Sequence, residues 1–228
     1  MNASPQPTAG GVTPKSVREV LSADPRHVAP LLLGAVLTHN SPAGAVSVRI
    51  TEVEAYLGPH DSLHPDPGSH TFRGLTPRNA PMFGPAGHLY VYFTSGLHYC
   101  ANIVCGPDGV ASALLLRAGE VVAGQELALA RRPASKTAVD LASGPARLAT
   151  ALGLTTADSG RDALKEPFAL ELPAVPASAI SAGPRVGVAG AGGTHEYPWR
   201  FWLTGDPTVS RYKAAKSKAI TGKSPGTQ

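Results

Sequence analysis

Glu52, Glu54 and Tyr56 stand two residues apart in the run V-R-I-T-E-V-E-A-Y-L-G-P at 48–59. Val48, Ile50 and Val53 favour a β-strand, and Gly58-Pro59 ends the run as a turn. Side chains alternate along an extended chain, so positions 52, 54 and 56 share one face. Carboxylates and a phenol then project together at a strand end, a way to hold an acid or base beside a flat ligand. Taken alone, these residues also fit two Glu on a solvated face, and that is the simpler reading of them.

Further groups with chemical potential follow. Residues 57–88 predict little regular structure yet hold His60, His64, His70, Arg73, Arg78 and Asn79. A structureless stretch of this length inside a domain is functional or disordered. Its composition favours function. The spacing of His60, His64 and His70 is broken by Pro and Gly, with no Glu or Cys to complete a set, so no metal site is expected. Tyr90 and Tyr92 share one face of the strand L-Y-V-Y-F-T, and Asn102 shares a face with Cys100. Arg117 follows three Leu; such an Arg either emerges into solvent or is buried against a carboxylate.

The elements that must position these groups follow from local signals. Asp24-Pro25 predicts a helix start, ending near Gly34. Strands are expected at 35–39, from Val48 to Tyr56, at 89–94, at 97–104 and at 110–117, with tight turns at 40–44, Ser95-Gly96 and 106–109. Helical spacing predicts a helix over 120–132. Ser143 is the expected N-cap of another, running to Gly153, with Arg147 in its first turn. A cation there opposes the helix dipole, which a bound anion would relieve. Arg185–Val188 and Trp199–Leu203 read as strands around a Gly-rich loop, after a Pro/Ala stretch at 173–182. Residues 1–15 are expected to be disordered, and the basic segment from Thr208 onward to be flexible.

Composition bounds the rest. The 228 residues suffice for one good-sized domain, and 25 Gly with 22 Pro imply many loops and short strands. A net charge of +4 permits an anionic partner without requiring one. Two cysteines, Cys100 and Cys105, make neither a disulfide framework nor a four-ligand zinc site, and fit reduced thiols. No run approaches a membrane span, and M-N-A-S-P-Q-P lacks the features of a secretory leader, so a cytoplasmic protein is expected.

T-E-V-E-A-Y-L-G-P, S-H-T-F-R-G-L-T-P-R-N, M-F-G-P-A-G-H-L-Y-V-Y-F, C-A-N-I-V-C-G and A-L-L-L-R, in this order, resemble the alkyladenine (3-methyladenine) DNA glycosylase family in its bacterial form. S-G-P-A-R-L-A-T-A-L and R-V-G-V are similar to its later blocks. The resemblance implies an α+β fold: a single compact domain at 16–212, with a curved antiparallel sheet, surrounding helices and a protruding β-hairpin, followed by a basic tail at 213–228. It implies a monofunctional enzyme without cofactor. Such an enzyme flips alkylated or deaminated purines out of double-stranded DNA and cuts their N-glycosidic bonds. Glu54 matches the general base and Arg117 the residue holding it and its water. Tyr56, His70 and Tyr92 match the residues that sandwich the base, and Asn102 the one that crowds the amino group of normal guanine. Arg73, Arg78 and Arg147 are the expected DNA-backbone contacts, and a monomer is expected.

At the hairpin tip, Ser95-Gly96-Leu97, the chain departs from the family. Vertebrate members carry a wedging Tyr where this chain has Ser95, and Ser cannot fill the space of a flipped base. Leu97, or failing that Tyr99, is left for the role. A longer loop after Tyr56 is a second departure. Three rivals stand beside the enzyme: a non-catalytic binder, a nucleosidase acting on small molecules, and a relative of narrowed specificity. A binder gains nothing from a carboxylate facing Arg, and a nucleosidase needs neither a wedge nor a basic rim.

Overall fold

The computed structural model describes residues 16–215. The segment 1–15 and the cations Lys216, Lys218 and Lys223 lie outside the described residues.

The long strand β2, Gly44–Tyr56, is the axis of the molecule. It forms the expected hairpin with β1, Val36–Ser41, and pairs along its other edge with β5, Ala113–Ala123. The sheet extends through β4, His98–Val104, to β3, Leu89–Thr94, and beyond β1 to β6, Phe168–Glu171. Past the end of β1, Glu52–Glu54 pair instead with β8, Arg200–Leu203, which carries β7, Ile180–Gly183. Every pairing between these strands is antiparallel, as expected. One face packs on helices α2, Pro25–Leu32, and α4, Pro145–Leu152. Val28, Leu32, Leu148 and Leu152 join Val48, Ile50, Leu114 and Leu116 in the main core. A short helix α1, Val17–Leu21, precedes α2. Asp24 caps α2 as predicted.

A bulge in β2 decides what the other face offers. Val46, Val48 and Ile50 point into the core, as do Val53 and Ala55 further along. The inward set changes from even to odd numbers between Ile50 and Val53. There the pairing skips Thr51 on β2 and then Arg117 on β5. A one-residue slip exchanges the two faces of a strand. Without it, Glu52, Glu54 and Tyr56 would follow Val46, Val48 and Ile50 into the apolar core.

Three expected elements differ. Glu120–Ala123 belong to β5, because Val121 pairs with Val48 and the Glu120 carboxylate accepts from Arg49 across the strands. The helix after it, α3, is confined to Gln125–Arg131. Gly124, at φ 73°, divides the two, and a Cβ there would collide with the Ala45 carbonyl. Ser143 does not cap α4: Gly144 occupies the N-cap, and Ser143 instead forms a β-bridge with Ala118. Arg185–Val188 are not a strand; the turn needs Gly187 at φ 69°, and the strand of this region is β7.

Candidate active site

The sheet register lines up the centre of the site. Tyr90 pairs with Asn102, Asn102 with Leu115, and Leu115 with Glu54, which also faces Arg200. Glu54 thus lies in a row with Tyr90 and Asn102, residues distant in sequence. Over this face lies a cavity of about 490 Å³, within the usual range for ligand sites. Its walls include Tyr56, His70, Tyr92, Asn102 and Arg117, all expected from the sequence.

Glu54 is fully buried beneath that wall, which rules out the solvated-face reading. Its Oε1 accepts from the Val186 amide at 2.6 Å. Its Oε2 accepts from the Tyr56 hydroxyl at 2.9 Å and, more loosely, from Arg117 Nη1 at 3.5 Å. Arg117 Nη1 lies 3.5 Å from Oε1 as well, so the guanidinium faces both carboxylate oxygens. Burial raises the Glu54 pKa above the usual carboxylate value, against the opposing pull of Arg117 and the Val186 amide. Burial and the Glu54 charge hold the Tyr56 phenol protonated, and hence a donor.

Glu52 is engaged by donors of the protein itself. Also fully buried, it accepts from Arg117 Nε at 2.9 Å, Arg200 Nε at 2.6 Å and the Ser210 amide at 2.7 Å. Arg117 is therefore clamped from behind and presents Nη1 to Glu54. The same contacts correct the expectation of a flexible segment after Thr208. Ser210 also bonds to Arg117 and Arg200, and Thr208 to Thr51. Of the expected tail at 213–228, Lys213 accepts from the Gly187 amide through its carbonyl.

The aromatic wall is built by the loop at 57–88 and by β3. His70 meets the Tyr92 ring edge-on at 4.6 Å, and its Nδ1 lies 3.2 Å from the Tyr90 hydroxyl. Burial, then nearby Arg78, lowers the His70 pKa, so the imidazole is neutral at pH 7. Asn79 fixes this loop by donating to the His70 and Gly74 carbonyls. Asn102 is locked by donation to the Tyr90 carbonyl at 2.9 Å. The Cys100 thiol is free, and burial raises its pKa.

The hairpin β3–β4 rises from the cavity, with Thr94 on the wall. Ser95 and Gly96 both have positive φ, 53° and 67°, and Leu97 N–H bonds to Thr94 C=O, the pattern of a two-residue type I′ turn. Leu97 is 73% exposed at the tip, whereas Tyr99 is half-buried, its ring tilted against Phe93 with centroids 5.0 Å apart. Of the expected backbone contacts, Arg73 is exposed. Arg78 is turned back onto the hairpin, bonding to the Phe93 carbonyl and lying over the Tyr92 ring. Arg147 is ion-paired with Asp140.

The family described as methylpurine-DNA glycosylase (MPG) matches residues 19–207. The chain belongs to the methylpurine-DNA glycosylase family. It is 55% identical over 200 residues to a protein of Leifsonia xyli subsp. xyli, covering 86% of this chain and 92% of that one. A protein of Streptomyces avermitilis is 53% identical over 201 residues, 86% of this chain and 91% of its own. One of Mycobacterium tuberculosis is 44% identical over 206 residues, 90% and 98%. Each bears the name "Putative 3-methyladenine DNA glycosylase". The chain is thus a DNA N-glycosylase, an enzyme of DNA repair directed at alkylation damage. Among its described residues no helix is long and apolar enough to cross a membrane.

Sequence reasoning missed much of what supports the glycosylase site. Val186 to Ala189, Pro67, Gly68 and Met82 also line the cavity. Behind them Arg185 and Asp66, neither exposed, form a two-pronged ion pair with both contacts at 2.6 Å. Arg185 also lies 4.5 Å from the Tyr56 ring centroid, and Asp66 binds the Leu57 and Gly68 amides. This pair joins the loop of Tyr56 and His70 to the segment whose amide reaches Glu54. The loops touch backbone to backbone: a Cβ on Gly192 would lie 2.5 Å from the Gly68 nitrogen. The sequence offers no signal that Arg185 turns inward.

Proposed function

We propose that this glycosylase removes both alkylated and deaminated purines, 3-methyladenine and hypoxanthine among them, from double-stranded DNA and leaves an abasic site. The observation that carries the reading is a fully buried carboxylate, Glu54, held by Arg117, Tyr56 and the Val186 amide beneath a cavity walled by aromatic rings. Unstacked from the duplex, the base enters between Tyr56 on one side and His70 and Tyr92 on the other. Asn102, unable to turn away while it bonds to the Tyr90 carbonyl, crowds the exocyclic amino group of guanine. The sugar lies over Glu54. The ionised carboxylate stabilises positive charge developing on the sugar and takes the proton of the attacking water. Among the described residues no Lys lines the cavity, which favours direct hydrolysis over a Schiff base.

The rings alone do not set the preference for charge. Guanidinium groups already lie against Tyr56 and Tyr92, from Arg185 and Arg78. This weakens the pull of those rings on a cationic base and favours acceptance of neutral lesions such as hypoxanthine as well. Duplexes carrying one hypoxanthine or one 3-methyladenine test the point, with free base measured under single-turnover conditions. Release from both is expected; release of methylated bases alone would restrict the reading to alkylation damage.

The Glu54 pKa, raised by burial, fixes the direction of the pH profile. A general base works only when ionised, so the rate falls as acid protonates Glu54. The fall begins above the usual carboxylate range. A single-turnover profile with a neutral lesion checks this; an acid limb at or below an ordinary Glu pKa would contradict it.

Leu97 serves as the wedge, since Ser95 is too small and Tyr99 is packed away. Leu97→Ser is expected to slow excision from duplex DNA about tenfold, the scale of one buried aliphatic side chain. Excision from a single strand should hardly change. Equal loss on both substrates would remove Leu97 from this role.

The functional unit is residues 16–212, acting as a monomer in the bacterial cytoplasm at the nucleoid. The rivals lose support for physical reasons. Burying Glu54 is unfavourable, and a binder would derive no benefit from it. A nucleosidase has no need of the exposed Leu97 tip beside the cavity.

A further inference from the structure

A second cavity, of about 650 Å³, adjoins the base pocket and shares Arg117 and Val186 with it. These are two of the groups that hold Glu54. Its far wall is the strap from Pro207 to Lys213, and its opposite side carries Thr137, Ser143 and Arg147. We propose that this cleft seats a phosphodiester of the substrate strand adjoining the flipped nucleotide, with Arg211 and Lys213 as its principal cations. The proposal rests on the glycosylase reading above, because it takes the sugar to lie over Glu54.

Three observations carry it. The first is charge. Arg117, Arg147, Arg211 and Lys213 line the cleft, with Asp140 as the only lining carboxylate among the described residues. Asp140 is already paired with Arg147 and Arg132. Arg211 and Lys213 are exposed and have no ion-pair partner among the described residues.

The second is placement. The strap is held to the ion-pair network behind Glu54 and to the Gly187 amide. The Ser210 amide bonds to Glu52 at 2.7 Å, its hydroxyl to Arg117 at 3.2 Å, its carbonyl to Arg200 at 2.9 Å, and the Lys213 carbonyl to the Gly187 amide at 2.9 Å. Two long cationic side chains are thereby anchored at their backbones beside Arg117, which reduces the entropy lost when they close on an anion.

The third is continuity. A nucleotide with its base in the first cavity and its sugar at Glu54 must send its strand away past Arg117, and the adjoining space there is this cleft. A free nucleoside would leave it empty, so the cleft also separates a DNA enzyme from a nucleosidase.

The test uses the Arg211→Ala/Lys213→Ala double variant of the full chain. Both side chains are exposed and neither makes a hydrogen bond among those seen, so folding should survive; thermal melting checks this. Binding to a single-lesion duplex is measured against salt concentration, with a neutral methylphosphonate replacing each phosphate near the lesion in turn. One neutralised phosphate accounts for about 0.9 in the slope of log K against log salt, so the variant should lose about one unit. One methylphosphonate position should weaken wild-type binding while leaving the variant unaffected. Unchanged affinity and slope in the variant, or additive losses at every position, would overturn the cleft while base release by the wild type still upheld the glycosylase reading. No base release by the wild type would overturn both.

Discussion

Glu54→Gln is expected to lower the single-turnover rate of base release by about 10²–10⁴-fold, the usual contribution of a positioned general base. Gln is nearly isosteric: its one oxygen can accept from the Val186 amide while its NH2 donates to a Tyr56 hydroxyl turned to accept, so the site geometry should persist. Arg117 keeps its partner in Glu52 and is not left as an unpaired buried charge. Affinity for a lesion duplex should therefore stay within a few-fold of wild type. The loss should be smaller for a methylated, already cationic base, which leaves readily, than for neutral hypoxanthine. Rates and dissociation constants measured on both duplexes check this. A parallel fall in rate and affinity would make Glu54 a structural residue.

Asp66→Ala is expected to cost about 3–5 kcal/mol of stability, the scale for removing one partner of a buried ion pair. Arg185 would be left with the Ala55 and Gly192 carbonyls and no ion-pair partner among the described residues. The Leu57 and Gly68 amides would lose their acceptor as well. Because the pair ties together the loops carrying His70 and Val186, excision should fall even at temperatures where the variant stays folded. Urea unfolding monitored by tryptophan fluorescence gives the size of the effect. A change below about 1 kcal/mol would show that the pair is dispensable. Asp66→Asn, which keeps the shape and one acceptor oxygen, should fall between the two.

The legible part of this molecule was local. Asp24-Pro25 predicts its helix, and the hairpins around Ser41–Gly44 and Ser95-Gly96 follow from turn residues. Short motifs point to the residues of the cavity: Glu54, Tyr56, His70, Tyr92, Asn102 and Arg117 all converge on it or lie directly beneath it. Three features were not legible because they depend on distant partners. Residues 120–123 have a helical pattern of apolar positions, but pairing with β2 across about 70 residues of chain overrides it. Simple alternation puts Glu52, Glu54 and Tyr56 on one face, which is correct, but gives no hint that Val46, Val48 and Ile50 take the opposite face through the slip at Thr51. Arg185 and the strap at Ser210 look like a strand residue and a loose end. Their roles come from Asp66 and Glu52, more than 100 residues away.

The most direct test of the account incubates excess wild-type protein with a duplex containing one alkylated purine. Free base is followed by chromatography, and the strand by denaturing gel with and without alkali. The account predicts stoichiometric release of the methylated base and a strand that stays intact until alkali is added. No free base, or strand cleavage without alkali, would contradict a monofunctional hydrolysis centred on Glu54.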